Sequence, residues 1–331
     1  MPSLIDLHIH LPGTVRAATL QELADKNSVA LPLPAADLYP RINSDPTEAE
    51  RSHGPWFPLL RVYELISDSL QTREDFARVV FEALEDGQRD SDLCYAELAF
   101  SPSVHMQNGV AYGEMAAGIA DGLSRARSEL GVDGRAIAAV NREDTAAVAE
   151  QMVQTVIDNP SDDIVGIGLD FYELAGFPEK FAAAFQLAGR HGLHRTAHAG
   201  EHAPTAATVA TALDVLGCDR IDHGYQILRD PQLVERCAEQ GTIFNIAFTT
   251  SRRALLQWRR ESVAGMVAGG LHVTVNSDDP SLFPTTLRRE MKIAAEVIPD
   301  KDQSWLLNNS VNATFLDAED KSELRARVFG D

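Results

Sequence analysis

LIDLHIH, Leu4 to His10, sets the reading of this chain: a short apolar run carrying two histidines two residues apart. On an extended strand, side chains two apart project from the same face, so His8 and His10 together make half of a metal site. Working outward, three further strings follow in order: HAGE at His198 to Glu201, DHG at Asp222 to Gly224, and the pair Asp278-Asp279 in NSDDP. His198 closes the run from Leu193, and Asp278 closes the run from Leu271, each an apolar or β-branched stretch that stops at Gly, Pro or acidic residues. Three imidazoles and one carboxylate form a borderline-soft donor set suited to Zn²⁺, with a position left for water. The expectation is a hydrolase that activates water on a metal.

Eight strand candidates alternate with helical patterns. The strands are Leu4 to His10, Leu93 to Phe100, Gly134 to Asn141, Ile164 to Phe171, Leu193 to His198, Arg220 to His223, Thr242 to Ala247 and Leu271 to Ser277. Between them the pattern predicts helices over Thr72 to Gln88, where Thr72 and Asp75 suit a capping box, and over Tyr112 to Leu130, Thr145 to Asp158, Pro178 to His191, Ala206 to Leu216, Pro231 to Gln240 and Leu255 to Ala268. Strand-helix alternation implies a parallel sheet, and eight repeats imply closure into an α/β (β/α)8 TIM barrel, with 1–331 as one catalytic domain. Such barrels gather their sites at the C-terminal strand ends, where His198, His223 and Asp278 fall. A proline-rich stretch over about 31–57 enlarges the first crossover and reads equally as a lid or as a packed insertion.

With 29 basic against 49 acidic residues the net charge is −20, which argues against a nucleic-acid polymer or an anionic membrane surface as partner. Cys94, Cys218 and Cys237 are widely spaced and odd in number, so neither a disulfide framework nor a CxxC metal site is indicated and a reducing cytoplasm is expected. The N-terminus enters strand pattern directly, without a leader-like segment, and no run approaches the roughly 18 apolar residues of a membrane span.

These residues also carry a likeness. The chain resembles the adenosine deaminase family over most of its length: HIHLPGTVR from His8, Tyr95-Ala96-Glu97 with Ser101-Pro102, HAGE, RIDHG from Arg220, Asp230-Pro231, and VNSDDP from Val275, followed by Arg289-Glu290. The resemblance implies His8, His10, His198 and Asp278 as ligands of one zinc, Glu201 as proton donor to a ring nitrogen, and His223 and Asp279 as the groups that orient and deprotonate the attacking water. Chemistry asks for the same parts: displacing ammonia from an aromatic amidine needs a strong nucleophile at neutral pH, an acid against the ring nitrogen and a base for the water. Burial is expected to keep Glu201 protonated when substrate is bound. A mononuclear site is favoured, because strand four ends Gly168-Leu169-Asp170 with no lysine to bridge two metals. The HxE with PCxxC of the other zinc deaminases is absent.

Departures from the family pattern bear on the substrate. The candidate substrate-contacting positions are His10, Pro12, Gly176 and Asp279. Pro12 stands where the family usually has an acidic residue that, in nucleoside enzymes, holds a sugar hydroxyl. Leu174-Ala175-Gly176 reads as the family's LxGxE-like segment, with Phe171-Tyr172-Glu173 as an insertion before it, and Ala247 to Ser251 replaces a CPxSN-like string. The expectation is hydrolytic deamination of a small amino-heterocycle of the purine type, with preference moved away from adenosine. Two rivals are the hydrolysis of another C–N bond, in a cyclic amide or imine, and a silent ligand-binding barrel. Among the other histidines, His202 reads as structural or solvated, His53 and His105 as surface loop residues, and His191, His194 and His272 as lying at the wrong barrel end. Trp56 and Phe57 are candidates for stacking on a planar ring.

Overall fold

A computed structural model describes residues 3–42, 57–251 and 253–330. Eight parallel strands follow one another around the sheet in chain order: β1 Leu4–His10, β2 Leu93–Phe100, β3 Asp133–Asn141, β4 Ile164–Asp170, β5 His194–Ala199, β6 Arg220–His223, β7 Ile243–Ile246 and β8 His272–Val275. The last meets the first through an Ile9 to Asp278 bridge, with His10 N–H donating to Asp278 O at 3.0 Å and Asp278 N–H to His8 O at 2.9 Å. Closure therefore happens at the histidine pair itself. All seven residues of β1 are buried, as expected of a parallel strand covered on both faces, which is why it reads as a continuous run instead of an alternating one.

The expected helices sit between the strands. Thr72 and Asp75 form the capping box ahead of the helix Arg73–Ser91, each side chain accepting the other's backbone N–H. The stretch from Pro178 divides into a 3-10 turn, Pro178–Phe181, and a helix, Ala182–Arg190. Three strands end earlier than their apolar runs suggest, β7 by one residue, at Ile246. β4 stops at Asp170 because Phe171 turns to a left-handed φ of 68°, and β8 stops at Val275 because Ser277 N–H leaves the ladder for the Asp6 carboxylate.

Of the enlarged first crossover, the described parts are two helices, Ala35–Ile42 and Phe57–Ser69; His53 and Trp56 lie outside the described residues. His105 departs from expectation: it lies in the helix Pro102–Gln107, is 2% exposed and meets the Phe76 ring edge-on at 5.0 Å. A histidine in a short polar string carries no signal that a neighbouring helix covers it. His194 and His272 start β5 and β8, stacked on Phe315 and tilted against Trp305, at the end away from the site. Among the described residues, no helix is long and apolar enough to cross a membrane.

Candidate metal centre and active site

β1, β5, β6 and the turn after β8 bring His8, His10, His198, His223, Asp278 and Asp279 to one point, all of them buried. The His8 ring lies 4.7 Å from that of His198, 4.8 Å from His10 and 5.0 Å from His223. One donor atom each from His8, His10 and His198 fall within 4.8 Å of one another, as do those of His8, His223 and Asp278, and those of His10, Asp278 and Asp279. Phe171, His223 and Asp278 all adopt left-handed φ, at 68°, 71° and 61°. Such conformations cost non-glycine residues of order 1 kcal/mol or more, and three at the ends of alternate strands, β4, β6 and β8, mark where local comfort is surrendered to aim side chains inward.

Neighbouring groups fix each imidazole. His8 Nδ1 lies 3.3 Å from Asp222, whose carboxylate also accepts from Thr196 Oγ1 at 2.8 Å and Asn245 Nδ2 at 2.7 Å. His198 Nδ1 meets the Leu169 carbonyl at 2.9 Å, and Thr250 Oγ1 donates to Asp278 at 2.6 Å. With the Nδ1 atoms of His8 and His198 committed as donors, their Nε2 lone pairs face the centre. His8 Nε2 and His10 Nε2 are buried without a hydrogen-bond partner. Burial works against charge on His8, yet Asp222 and Asp278 overcome it and raise its pKa to about 10. The pocket calls for a cation, and orphaned imidazole nitrogens beside a carboxylate suit zinc.

Glu201 sits beside this centre, its Oε2 2.8 Å from His202 Nδ1 and its Oε1 3.7 Å from His223 Nε2, with Arg259 Nη2 donating to Oε1. Burial alone would push the Glu201 carboxyl up, but His202, His223 and Arg259 outweigh it and hold the group well below its ordinary range. In the free protein the buried cation Arg259, 58 residues downstream in sequence, pairs with Glu201. His223 is pushed well below its ordinary pKa, by burial first, against the pull of Glu201 and Asp278. Tyr225 O–H donates to Ala247 O at 2.6 Å, so its oxygen accepts from His223 Nδ1–H at 3.2 Å. That leaves His223 Nε2 unprotonated, as a base requires. Asp279 is pushed up, by burial and by Asp278, and its Oδ1 lies 3.2 Å from His10 Nδ1.

The adjoining cavity is lined by His10, Asp170, Phe171, Tyr172, His198, Glu201, His202, His223, Thr250, Asp278 and Asp279, with an apolar wall from Leu59, Leu60, Tyr63 and Phe283. His202 is therefore part of the site. Pro12 and Gly176 are not among the lining residues: Pro12 opens a 3-10 turn, and Gly176 packs on Arg142, its carbonyl accepting Nη1 at 2.7 Å.

Four residues escaped sequence reasoning. Glu173, fully buried, accepts the N–H groups of Gly200, Glu201, His202 and Ala203 at 2.6 to 3.0 Å. Phe171 turns to a left-handed φ of 68° after β4, and Glu173 opens the 3-10 turn Glu173–Ala175 that follows. Asp170, at the end of β4, places Oδ1 3.6 Å from His10 Nε2 and 4.0 Å from His198 Nε2. Arg259 and Tyr63 contact Glu201 and Asp279 from helices whose sequence carries no motif.

A (β/α)8 barrel with a histidine-carboxylate cluster at its C-terminal strand ends, beside a buried acid, defines a metal-dependent hydrolase. Residues 3–330 match the family model described as adenosine deaminase. The chain is 32% identical to an adenine deaminase of Cupriavidus taiwanensis over 331 residues, covering 98% of this chain and 90% of that one. Among solved structures, an amidohydrolase from Burkholderia ambifaria with bound Zn is similar at TM-score 0.88 and 27% identity, covering 98% of this chain and 89% of that one. The adenine deaminase of Arthrobacter aurescens is similar at TM-score 0.86 and 28% identity, covering 99% and 98%. This chain belongs to the adenosine deaminase family. It is a hydrolase of C–N bonds, a hydrolytic deaminase, and its metal is a single zinc.

Proposed function

We propose that the protein deaminates a free aminopurine, adenine in preference to adenosine, in a reducing cytoplasm that suits its three buried free thiols. One observation carries the reading: the cavity that opens onto Glu201 and the donor cluster has an apolar wall suited to a flat ring. No Lys or Arg lines it among the described residues, so nothing there recognises a phosphate. Pro12 adds that no carboxylate at that position meets a ribose hydroxyl. The relatives named adenine deaminase agree with this substrate.

His8, His10, His198 and Asp278 would hold the zinc, which when bound supplies the Lewis acidity that brings water toward a pKa of about 7. The remaining work falls to the chain. The apolar wall and Tyr172 orient the ring and exclude solvent. His223 Nε2 and Asp279 receive the proton of the attacking water as its oxygen bonds to the amino-bearing carbon. Glu201, charged in the free protein, takes up a proton as the ring covers it and gives it to the adjacent ring nitrogen. A proton returned by His223 or Asp279 to the amine lets the C–N bond break, so that water and aminopurine become oxopurine and ammonia. The test is Glu201→Gln, loaded with zinc and offered adenine: turnover falls by three orders of magnitude or more while zinc stays bound, because an amide cannot carry the proton. Turnover within tenfold of the parent removes Glu201 from the reaction.

A further inference from the structure

The helix Phe57–Ser69, which ends the enlarged first crossover, meets the cavity along one face: Leu59, Leu60 and Tyr63 all line it. Residues three and four apart share a helix face, so Tyr63 stands one turn beyond the two leucines and nearer the donor cluster. The two leucines can offer substrate only apolar surface. Tyr63 does something different, for its hydroxyl donates to Oδ1 of Asp279, and its ring stands edge-on to Phe171 with centroids 6.4 Å apart.

Asp279 Oδ1 is confined from three directions. Tyr63 O–H reaches it from the helix, His10 Nδ1 lies 3.2 Å away on β1, and the bare backbone of Gly13 leaves it room, since a Cβ there would collide with this same oxygen. A carboxylate offers lone pairs on both oxygens and otherwise rotates between equivalent settings. With Oδ1 held by the Tyr63 hydroxyl and set beside His10 Nδ1, which also lies 3.0 Å from Asp278 Oδ1, the carboxylate has one orientation, and Oδ2 is the oxygen left to take a proton.

We infer that Tyr63 is a positioning residue for the deaminase reaction: its hydroxyl fixes Asp279 so that one chosen oxygen faces the attacking water. The crossover helix is then part of the catalytic apparatus and not only a wall of the pocket. This rests on the deaminase reading of the site and on Asp279 as a proton acceptor. It assigns a role to a side chain that touches neither the metal ligands nor, through its hydroxyl, the reacting carbon.

Tyr63→Phe keeps the ring and its packing on Phe171 and removes one oxygen. The zinc-loaded parent and variant are compared by formation of the oxopurine from whichever of adenine, adenosine and N6-methyladenine the parent turns over fastest, with ammonia released from the first two and methylamine from the third. Loss of a hydrogen bond to a charged group predicts a fall in kcat of about 10- to 100-fold. KM stays within about threefold and zinc content is unchanged, a split that a wall contact does not produce. In an Asp279→Asn background, where the orientation no longer matters, Tyr63→Phe costs less than about twofold, the non-additivity expected of coupled residues. Parent-like kcat in Tyr63→Phe, a change confined to KM, or a full additive loss in the Asp279→Asn background each overturns the assignment while leaving the deaminase reading in place. A parent silent on all three substrates overturns both.

Discussion

The Glu173 carboxylate accepts the backbone N–H of Glu201 at 3.0 Å, so that one buried acid sets the position of another. Three more N–H groups, of Gly200, His202 and Ala203, converge on the same carboxylate, which holds the whole turn after β5. On the far side, Arg142 spans from the His198 carbonyl to that of Gly176. The turn that carries Glu201 is thus pinned through its backbone, while its side chain meets Arg259 and His202.

Glu173→Gln tests this arrangement. Oε2 receives three of the four N–H groups and Oε1 the fourth, so an amide with its oxygen at the Oε2 place makes three charge-assisted hydrogen bonds neutral and turns an N–H donor against the Gly200 N–H, at about 1–3 kcal/mol for the lost acceptor. Urea unfolding should show a loss of a few kcal/mol, and kcat should fall at least tenfold with zinc retained. Parent-like kcat in the folded variant would show that the turn needs no such anchor.

Arg259 offers a second test, since it is buried and its guanidinium also lies over the Tyr225 ring, 4.9 Å from the centroid. Arg259→Met keeps most of the volume and removes the cation that orients Glu201. Losing a charge-assisted hydrogen bond of about 1.5–3 kcal/mol predicts a 10- to 100-fold fall in kcat with zinc bound as before. Zinc loss in this variant, or unchanged kcat, would show that Arg259 serves the fold and not the acid.

Sequence reasoning found the strands, the barrel and the histidines and carboxylates that cluster at its mouth because those signals are local: an apolar run ends at a polar residue, and the spacing repeats. It missed Glu173, Arg259, Tyr63 and Asp170 because each acts across the fold, on a turn or side chain tens of residues away, from a segment with no pattern of its own. The partner of Glu201 was hidden for a related reason: burial is legible from an apolar context, but the cation that pairs with the acid is not.

His105 gives a pH test separate from the active site. Burial pushes its pKa down to about 4 from an unfolded value near 6.5, so the folded state holds it neutral. The unfolded chain then binds the extra proton between those values, and stability present above about pH 6.5 is lost as pH falls toward 4. His105→Gln, which cannot titrate, should lose about 2 kcal/mol less than the parent between pH 7 and pH 5 by urea unfolding. Equal losses in both proteins would show that His105 titrates normally.

The central claim is tested most directly by kcat/KM of the zinc-loaded protein for adenine and for adenosine, read as ammonia release with identification of the oxopurine. A missing charge-assisted contact to ribose is worth about 1.5–3 kcal/mol. The account predicts hypoxanthine and ammonia in equal amounts from adenine, with adenosine slower by at least tenfold. Adenosine turned over as fast as adenine or faster would contradict it.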